Sequence, residues 1–186
     1  MNDVKEYDFV VYGATGFTGK LVVEYLVEKY SNNSEISWAL AGRNLEKLET
    51  VATSKNVPEE TGLLVVDSND ITSIEEMVSK TKCVLTTVGP YQLYGNDIVE
   101  ACAKSGIDYV DLCGEPGWMH EKINELSDLA KESGSRIVFS CGFDSIPFDL
   151  GVLLLQDEVI KRFGKPAANV RARCRSMNGE FSGGTA

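Results

Sequence analysis

Residues 8–19 read Asp8-Phe9-Val10-Val11-Tyr12-Gly13-Ala14-Thr15-Gly16-Phe17-Thr18-Gly19. An apolar, β-branched run of the kind that forms a buried strand passes directly into Gly13, Gly16 and Gly19, spaced Gly-x-x-Gly-x-x-Gly. Leu21, Val22, Tyr25 and Leu26 then recur at helical spacing. In this order Gly13 lets the chain turn off the strand, Gly16 lets backbone approach a pyrophosphate, and Gly19 lets the helix pack close to the sheet. Free N–H groups and the helix dipole favour phosphate charge there. Residues Gly13, Ala14, Thr15, Gly16, Phe17, Thr18 and Gly19 are therefore read as a nucleotide-binding cradle, the plainer alternative being a tight turn.

Bulk properties restrict what the nucleotide-binding unit can be. The chain has 186 residues, enough for one ordinary domain and a little more. Hydrophobic residues at 43% and charged residues at 25% suit a globular protein. A net charge of −10 argues against a nucleic-acid partner. No apolar run approaches the ~20 residues of a membrane helix, and Met1-Asn2-Asp3-Val4-Lys5-Glu6 lacks the apolar core of a signal peptide, which predicts a cytoplasmic protein. Cys83, Cys102, Cys113, Cys141 and Cys174 form no Cys-x-x-Cys pair and read as buried, small apolar side chains. The sole histidine, His120, reads as a solvated helix residue, so no metal site is expected.

Beyond the cradle, short apolar runs alternate with helical patterns. Strands are expected at 36–41, 63–66, 83–87, 109–112 and 136–140, with helices around 45–52, 71–78, 98–103 and 118–131. Val57-Pro58 and Gly106 read as helix stops, and 88–95 as a loop of turn residues. Such alternation predicts an α/β fold: a Rossmann-type, doubly wound parallel sheet of about six strands, ordered 3-2-1-4-5-6. The pattern then changes. Pro147 suits the first turn of a helix through Leu150, Val152–Leu155 and Val159. Val170 to Arg175 alternates like a half-buried, antiparallel strand with no partner in the chain, and Gly183-Gly184-Thr185-Ala186 reads as a turn. The expected organisation is a nucleotide-binding domain over 1–150, followed over 151–186 by a linking helix and the truncated start of a second α+β domain.

The cofactor type follows from the second strand. An NAD-type site carries an acidic residue about 20 residues on, bonded to the ribose 2′-hydroxyl. Here the strand ends Ala41-Gly42-Arg43-Asn44, with Arg43 in that place. A guanidinium attracts a 2′-phosphate, so NADP(H) is expected over NAD(H), unless Arg43 only decorates the next helix. Asp67 closes the third strand where such folds place the adenine edge, although Asp67 or Ser68 could instead cap a helix. Val88, Gly89 and Pro90 follow the fourth strand at the switch point and could line the nicotinamide ribose.

Several blocks in order, Gly-Ala-Thr-Gly-Phe-Thr-Gly (13–19), Trp-Ala-Leu-Ala-Gly-Arg (38–43), Val-Gly-Pro-Tyr with Leu-Tyr-Gly (88–95), Gly-Glu-Pro (114–116) and Gly-Phe-Asp-Ser-Ile-Pro-Phe-Asp-Leu-Gly (142–151), resemble the saccharopine dehydrogenase-like oxidoreductases. That family includes bacterial trans-acting enoyl reductases of lipid biosynthesis. The resemblance spans nearly the whole chain and implies an NADP-binding Rossmann domain with reductase activity on a small-molecule or lipid-linked substrate. Ser-Gly-Gly-Thr (182–185) resembles the family's entry into a second, catalytic and dimer-forming domain. Saccharopine itself is not implied as substrate.

For a reductase, the loops at the carboxyl ends of the strands carry the candidate catalytic side chains. Tyr94 and Asp144 are the leading proton donors or substrate anchors, with Tyr91, Ser145 and Glu115 beside them. Each has a plainer alternative: a packed aromatic for either tyrosine, a helix cap for Asp144, a simple turn for Glu115. Tyr25 and Lys29 match Tyr-x-x-x-Lys but fall on the first helix, away from the nicotinamide end. The rival class is a non-catalytic NADP(H)-responsive binding protein, and fold alone does not separate the two.

Overall fold

A computed structural model describes residues 5–31, 35–176 and 178–179 of the chain. In order the elements are β1 (Phe9–Tyr12), α1 (Phe17–Tyr30), β2 (Trp38–Gly42), α2 (Leu45–Lys55), β3 (Gly62–Val65), α3 (Ile71–Lys80), β4 (Cys83–Thr86), α4 (Tyr91–Tyr94), α5 (Asn96–Ser105), β5 (Asp108–Asp111), α6 (Pro116–Ser133), β6 (Ile137–Val138) and α7 (Ile146–Phe163). The strands form one sheet ordered β3-β2-β1-β4-β5-β6, and every pairing is parallel. This is the Rossmann order, with the switch point between β1 and β4.

Alternation along each strand divides the core between the two faces. Val11, Leu40, Leu48, Val23 and Leu26 pack together on the face covered by α1 and α2. Val10, Tyr12, Ala39, Ala41, Val84 and Tyr109 pack on the other with Ile74, Met77, Ile98 and Val99 from α3 and α5, and with Trp118 from α6. Burial on both faces explains why these strands read as continuous apolar runs. Cross-strand pairing makes one row of the first face Leu63–Leu40–Val11–Leu85–Val110–Val138. Leu40 and Val11 in its middle are fully buried, whereas Val138 at its β6 end is 48% exposed. No residue of α7 is buried.

Four local expectations need correction. Loop 88–95 contains the single helical turn α4, started by Pro90 and too short to leave a periodic signature. Helix α2 stops at Lys55 with Asn56 in the left-handed conformation, before Val57-Pro58. Strand β6 is shorter than 136–140 because Ser140 takes a left-handed φ of 60° and gives its N–H to the Asp111 carboxylate. Residues 170–175 form no strand; among the described residues nothing lies beside them as a ladder, and alternation without a partner leaves irregular chain, exposed from 171 onward. The expected turn at 183–186 lies outside the described residues.

Cys102 and Cys113 are buried and Cys83 half-buried, but Cys141 and Cys174 are exposed, unlike the expected uniform burial. His120 is exposed and bonded to Asn124 one turn on. Among the described residues no cluster of metal-ligating side chains occurs and no helix is long and apolar enough to cross a membrane.

Candidate functional site

Everything singled out for cofactor or substrate lies at the carboxyl edge of the sheet. The first loop leaves β1 through Gly13, whose φ of +89° suits glycine. Gly13 and Ala14 both donate N–H bonds to the Ala41 carbonyl, at 2.9 and 3.2 Å, tying the turn to β2. A Cβ on Gly13 would stand 2.8 Å from both Thr87 Oγ1 and Val88 Cγ2, so the bare backbone also admits the loop after β4. A Cβ on Gly19 would lie 2.9 Å from Ala14 Cα and closer still to the Gly13 carbonyl oxygen, so α1 rests backbone against backbone on the turn. Beside Gly16 only the Gly13 oxygen comes near, at 3.3 Å, and this side of the cradle stays open. No side chain caps α1 at Gly16 and no acidic residue stands in its first turn, so the helix start keeps its N–H groups and positive dipole end for an outside anion.

Next to this cradle, Thr15 approaches the end of β2: a Cβ on Gly42 would be 3.7 Å from Thr15 Oγ1. Arg43 follows, exposed, and its positive charge acts on buried Tyr12. Burial pushes the Tyr12 hydroxyl up to about 12, while a Ser68 hydrogen bond and the Arg43 charge oppose that rise. Asp67, half-buried beyond β3, accepts from Asn69 N and Nδ2 at 2.9 and 3.0 Å in a side-chain turn. The cap of α3 is Asp70, which accepts from Thr72 N at 3.1 Å, and neither Asp67 nor Ser68 takes that role. An open backbone cradle with Arg43 at the β2 end matches a dinucleotide bearing a 2′-phosphate.

At the other half of the edge the structure separates the two tyrosines. Tyr91 is 5% exposed; its hydroxyl donates to the Thr86 carbonyl at 3.3 Å and accepts from Leu112 N at 3.4 Å. Burial, with the nearby Asp111 charge, pushes its pKa well above the ordinary tyrosine value. With its ring 5.6 Å from that of Trp118, Tyr91 sits as a packed aromatic joining β4 to β5. Tyr94, one turn on, is half-buried, and among the described residues its hydroxyl has no hydrogen-bond partner. Asp144 is exposed and does not cap α7; that place belongs to Ser145, whose side chain makes no cap bond either.

Two carboxylates that residue order alone left without a definite role lace these loops together. Glu115 accepts from Tyr91 N at 2.7 Å and Gln92 N at 2.9 Å, so it ties the loop after β5 to the first turn of α4. Asp111, almost fully buried, accepts from Cys113 N at 3.0 Å, Ser140 N at 2.8 Å and the Tyr109 hydroxyl at 2.9 Å. Desolvation raises the Asp111 pKa and these three donors oppose that shift. The one sequence signal for Asp111 was an acid following the apolar pair Tyr109-Val110, in register with Thr86.

Comparison with known proteins agrees with the geometry. The chain is 44% identical over 164 residues to the lipid droplet localized protein of Caenorhabditis elegans, covering 82% of this chain and 37% of that protein. It is 39% identical over 182 residues to a putative trans-acting enoyl reductase of Mycobacterium tuberculosis, covering 97% of this chain and 43% of that one. The chain thus spans less than half the length of these relatives. Among solved structures, the apo saccharopine dehydrogenase (L-Glu forming) of Saccharomyces cerevisiae matches in fold, with a TM-score of 0.67 at 18% identity over 85% of this chain and 32% of that one. The triphenylmethane reductase of Citrobacter sp., solved with NADP(H), also shares the fold, with a TM-score of 0.52 at 19% identity over 70% and 48% of the two chains. Residues 9–138 match the saccharopine dehydrogenase NADP binding domain, and the chain belongs to that family.

Proposed function

We propose that this chain is the cofactor-holding part of an NADPH-dependent reductase acting on a C=C, C=O or C=N bond, with an enoyl, lipid-linked substrate as the favoured case. When bound, the cofactor supplies the hydride; the protein supplies position, dry surroundings and a proton. The observation that carries this reading is the cradle at Gly13, Gly16 and Gly19 beside exposed Arg43. The backbone N–H of Thr15 and those from Phe17 to Gly19 hold the pyrophosphate, the Gly16 N–H being given to the Gly13 carbonyl, and Arg43 takes the 2′-phosphate. Asp67 borders the adenine, and Val88, Gly89 and Pro90 border the nicotinamide ribose. Tyr94, whose hydroxyl has no hydrogen-bond partner among the described residues, is the first choice for proton donor and Asp144 the second. The C=C preference leans on the enoyl reductase named among the relatives.

The same reading assigns residues 151–186 to the start of a second, substrate-binding and dimer-forming unit, with the protein in the cytoplasm. Helix α7 exposes Leu150, Leu153, Leu154 and Phe163, and Val138 of β6 is exposed as well. A helix that exposes this many large apolar side chains belongs against a further surface. Titration with NADPH and NADH tests the cofactor assignment. NADPH binds more tightly, and Arg43→Ala weakens NADPH about thirtyfold, or roughly 2 kcal/mol, while leaving NADH within about twofold. Equal affinities for the two cofactors would sink it. NADPH oxidation with enones by a chain extended to the length of the relatives tests the reaction. Binding without any turnover there would favour an NADP(H)-responsive regulatory protein.

A further inference from the structure

Glu115 is the acidic member of the Gly-Glu-Pro block and lies at the carboxyl edge, among the candidate catalytic groups. Its bonds give it another task. Both carboxylate oxygens are engaged, Oε1 by Tyr91 N at 2.7 Å and Oε2 by Gln92 N at 2.9 Å. Those N–H groups open α4, whose start at Pro90 has no cap of its own side chain. Tyr91 is fixed from its other end, the hydroxyl lying between Thr86 O and Leu112 N. The segment from Val88 to Tyr94 is therefore held at its head by Thr86 Oγ1 on Val88 N (3.2 Å), in the middle by Glu115, and underneath by the Tyr91 ring. Glu115 is itself steadied by Cys113, whose sulfur accepts from Glu115 N at 3.3 Å.

We infer that Glu115 is a positioning residue: by clamping the first turn of α4 it sets the Val88–Pro90 backbone and the Tyr94 hydroxyl against the nicotinamide half of the cofactor. It is not the proton donor, since both oxygens already accept charge-assisted bonds from backbone. The inference rests on the NADP(H) reading and extends it from the phosphate end to the reacting end. Replacing the carboxylate by an amide turns one acceptor into a donor facing an N–H, so one of the two bonds becomes a repulsion. The cradle and Arg43 lie on different loops, and Gly13 and Ala14 keep their own bonds to the Ala41 carbonyl.

The test uses two ligands that share the phosphate end and differ at the other: NADPH, and adenosine 2′,5′-bisphosphate, which lacks the nicotinamide half. Glu115→Gln weakens NADPH about tenfold and dulls the change in nicotinamide fluorescence on binding, yet leaves the bisphosphate within about twofold. Glu115→Asp keeps the charge but reaches only one N–H, and recovers part of the NADPH affinity. It also serves if the glutamine variant fails to fold. Parallel weakening of both ligands, or none of either, would overturn the clamp. If the wild-type chain binds neither ligand, the cofactor reading falls and this one with it. Wild-type binding that Glu115 variants leave unchanged defeats the positioning role alone.

Discussion

The β1–α1–β2 corner and the β5–β6–α7 corner belong to one sheet but are finished to different degrees. At the first, Val11 and Leu40 are fully buried, α1 touches the turn through glycine backbone, and Leu48 of α2 is fully buried over them. At the second, the same row of the sheet ends on exposed Val138, and α7, the next helix in the chain, has no buried residue. Apolar surface drives folding only where something covers it. The contrast is between a cofactor corner whose apolar side chains are covered and a β6–α7 corner whose apolar side chains lie exposed among the described residues.

The largest expected effect tests that the cofactor corner tolerates no added atom. Gly19→Ala places a methyl against backbone atoms of Gly13 and Ala14, which no side-chain rotation relieves. It lowers stability by about 4 kcal/mol, above the usual overpacking cost because the colliding atoms are main chain, and abolishes NADPH binding. A urea midpoint unchanged from wild type would show that α1 does not rest on the turn. A matched pair comes next. Leu48→Ala empties a fully buried site and costs about 3 kcal/mol. Leu154→Ala, at a position 70% exposed, changes stability by less than about 0.5 kcal/mol in this chain. In a chain as long as the relatives the second value rises toward the first if α7 is covered there; if it stays small, α7 has no such partner.

The same contrast explains how much could be read from residue order. Strand order, every helix longer than α4 and the glycine cradle were legible because each depends on neighbours in the chain: a period of two or 3.6, a turn, a cap. The Val170–Arg175 alternation misled because a strand requires a partner, and period alone does not provide one. Tyr94 ranked ahead of Tyr91, but which of the two packs inside was not legible in a loop whose single helical turn buries Tyr91 and leaves Tyr94 half-open. The clamps were hidden for a different reason. Glu115 meets its partner Tyr91 across 24 residues and Asp111 meets Ser140 across 29, joined only after the sheet has formed.

The smallest expected effect concerns Asp111, a carboxyl with no cation among its bonded partners in the corner nearest α7. Its folded pKa is raised by desolvation, so the native state holds a proton that the unfolded chain, titrating near ~3.9, has already released. Its contribution to stability is therefore full below about pH 4 and is lost as pH rises through the folded value. Asp8 and Asp108 run the opposite way: hydrogen bonds from Lys82 and Arg136 hold their pKa values down, so their contribution is present above about pH 4 and fades in acid. Asp111→Asn keeps an oxygen for Cys113 N and Ser140 N and offers an N–H to the Tyr109 oxygen, so it removes the titration with little change in bonding. Stability near neutral pH stays within about 1 kcal/mol of wild type. Urea midpoints followed from about pH 4 to about pH 7 rise more steeply for the variant, because the opposing Asp111 contribution is gone. Parallel curves for the two proteins would mean that Asp111 titrates as an ordinary carboxyl and that the β5–β6 loops are open to water.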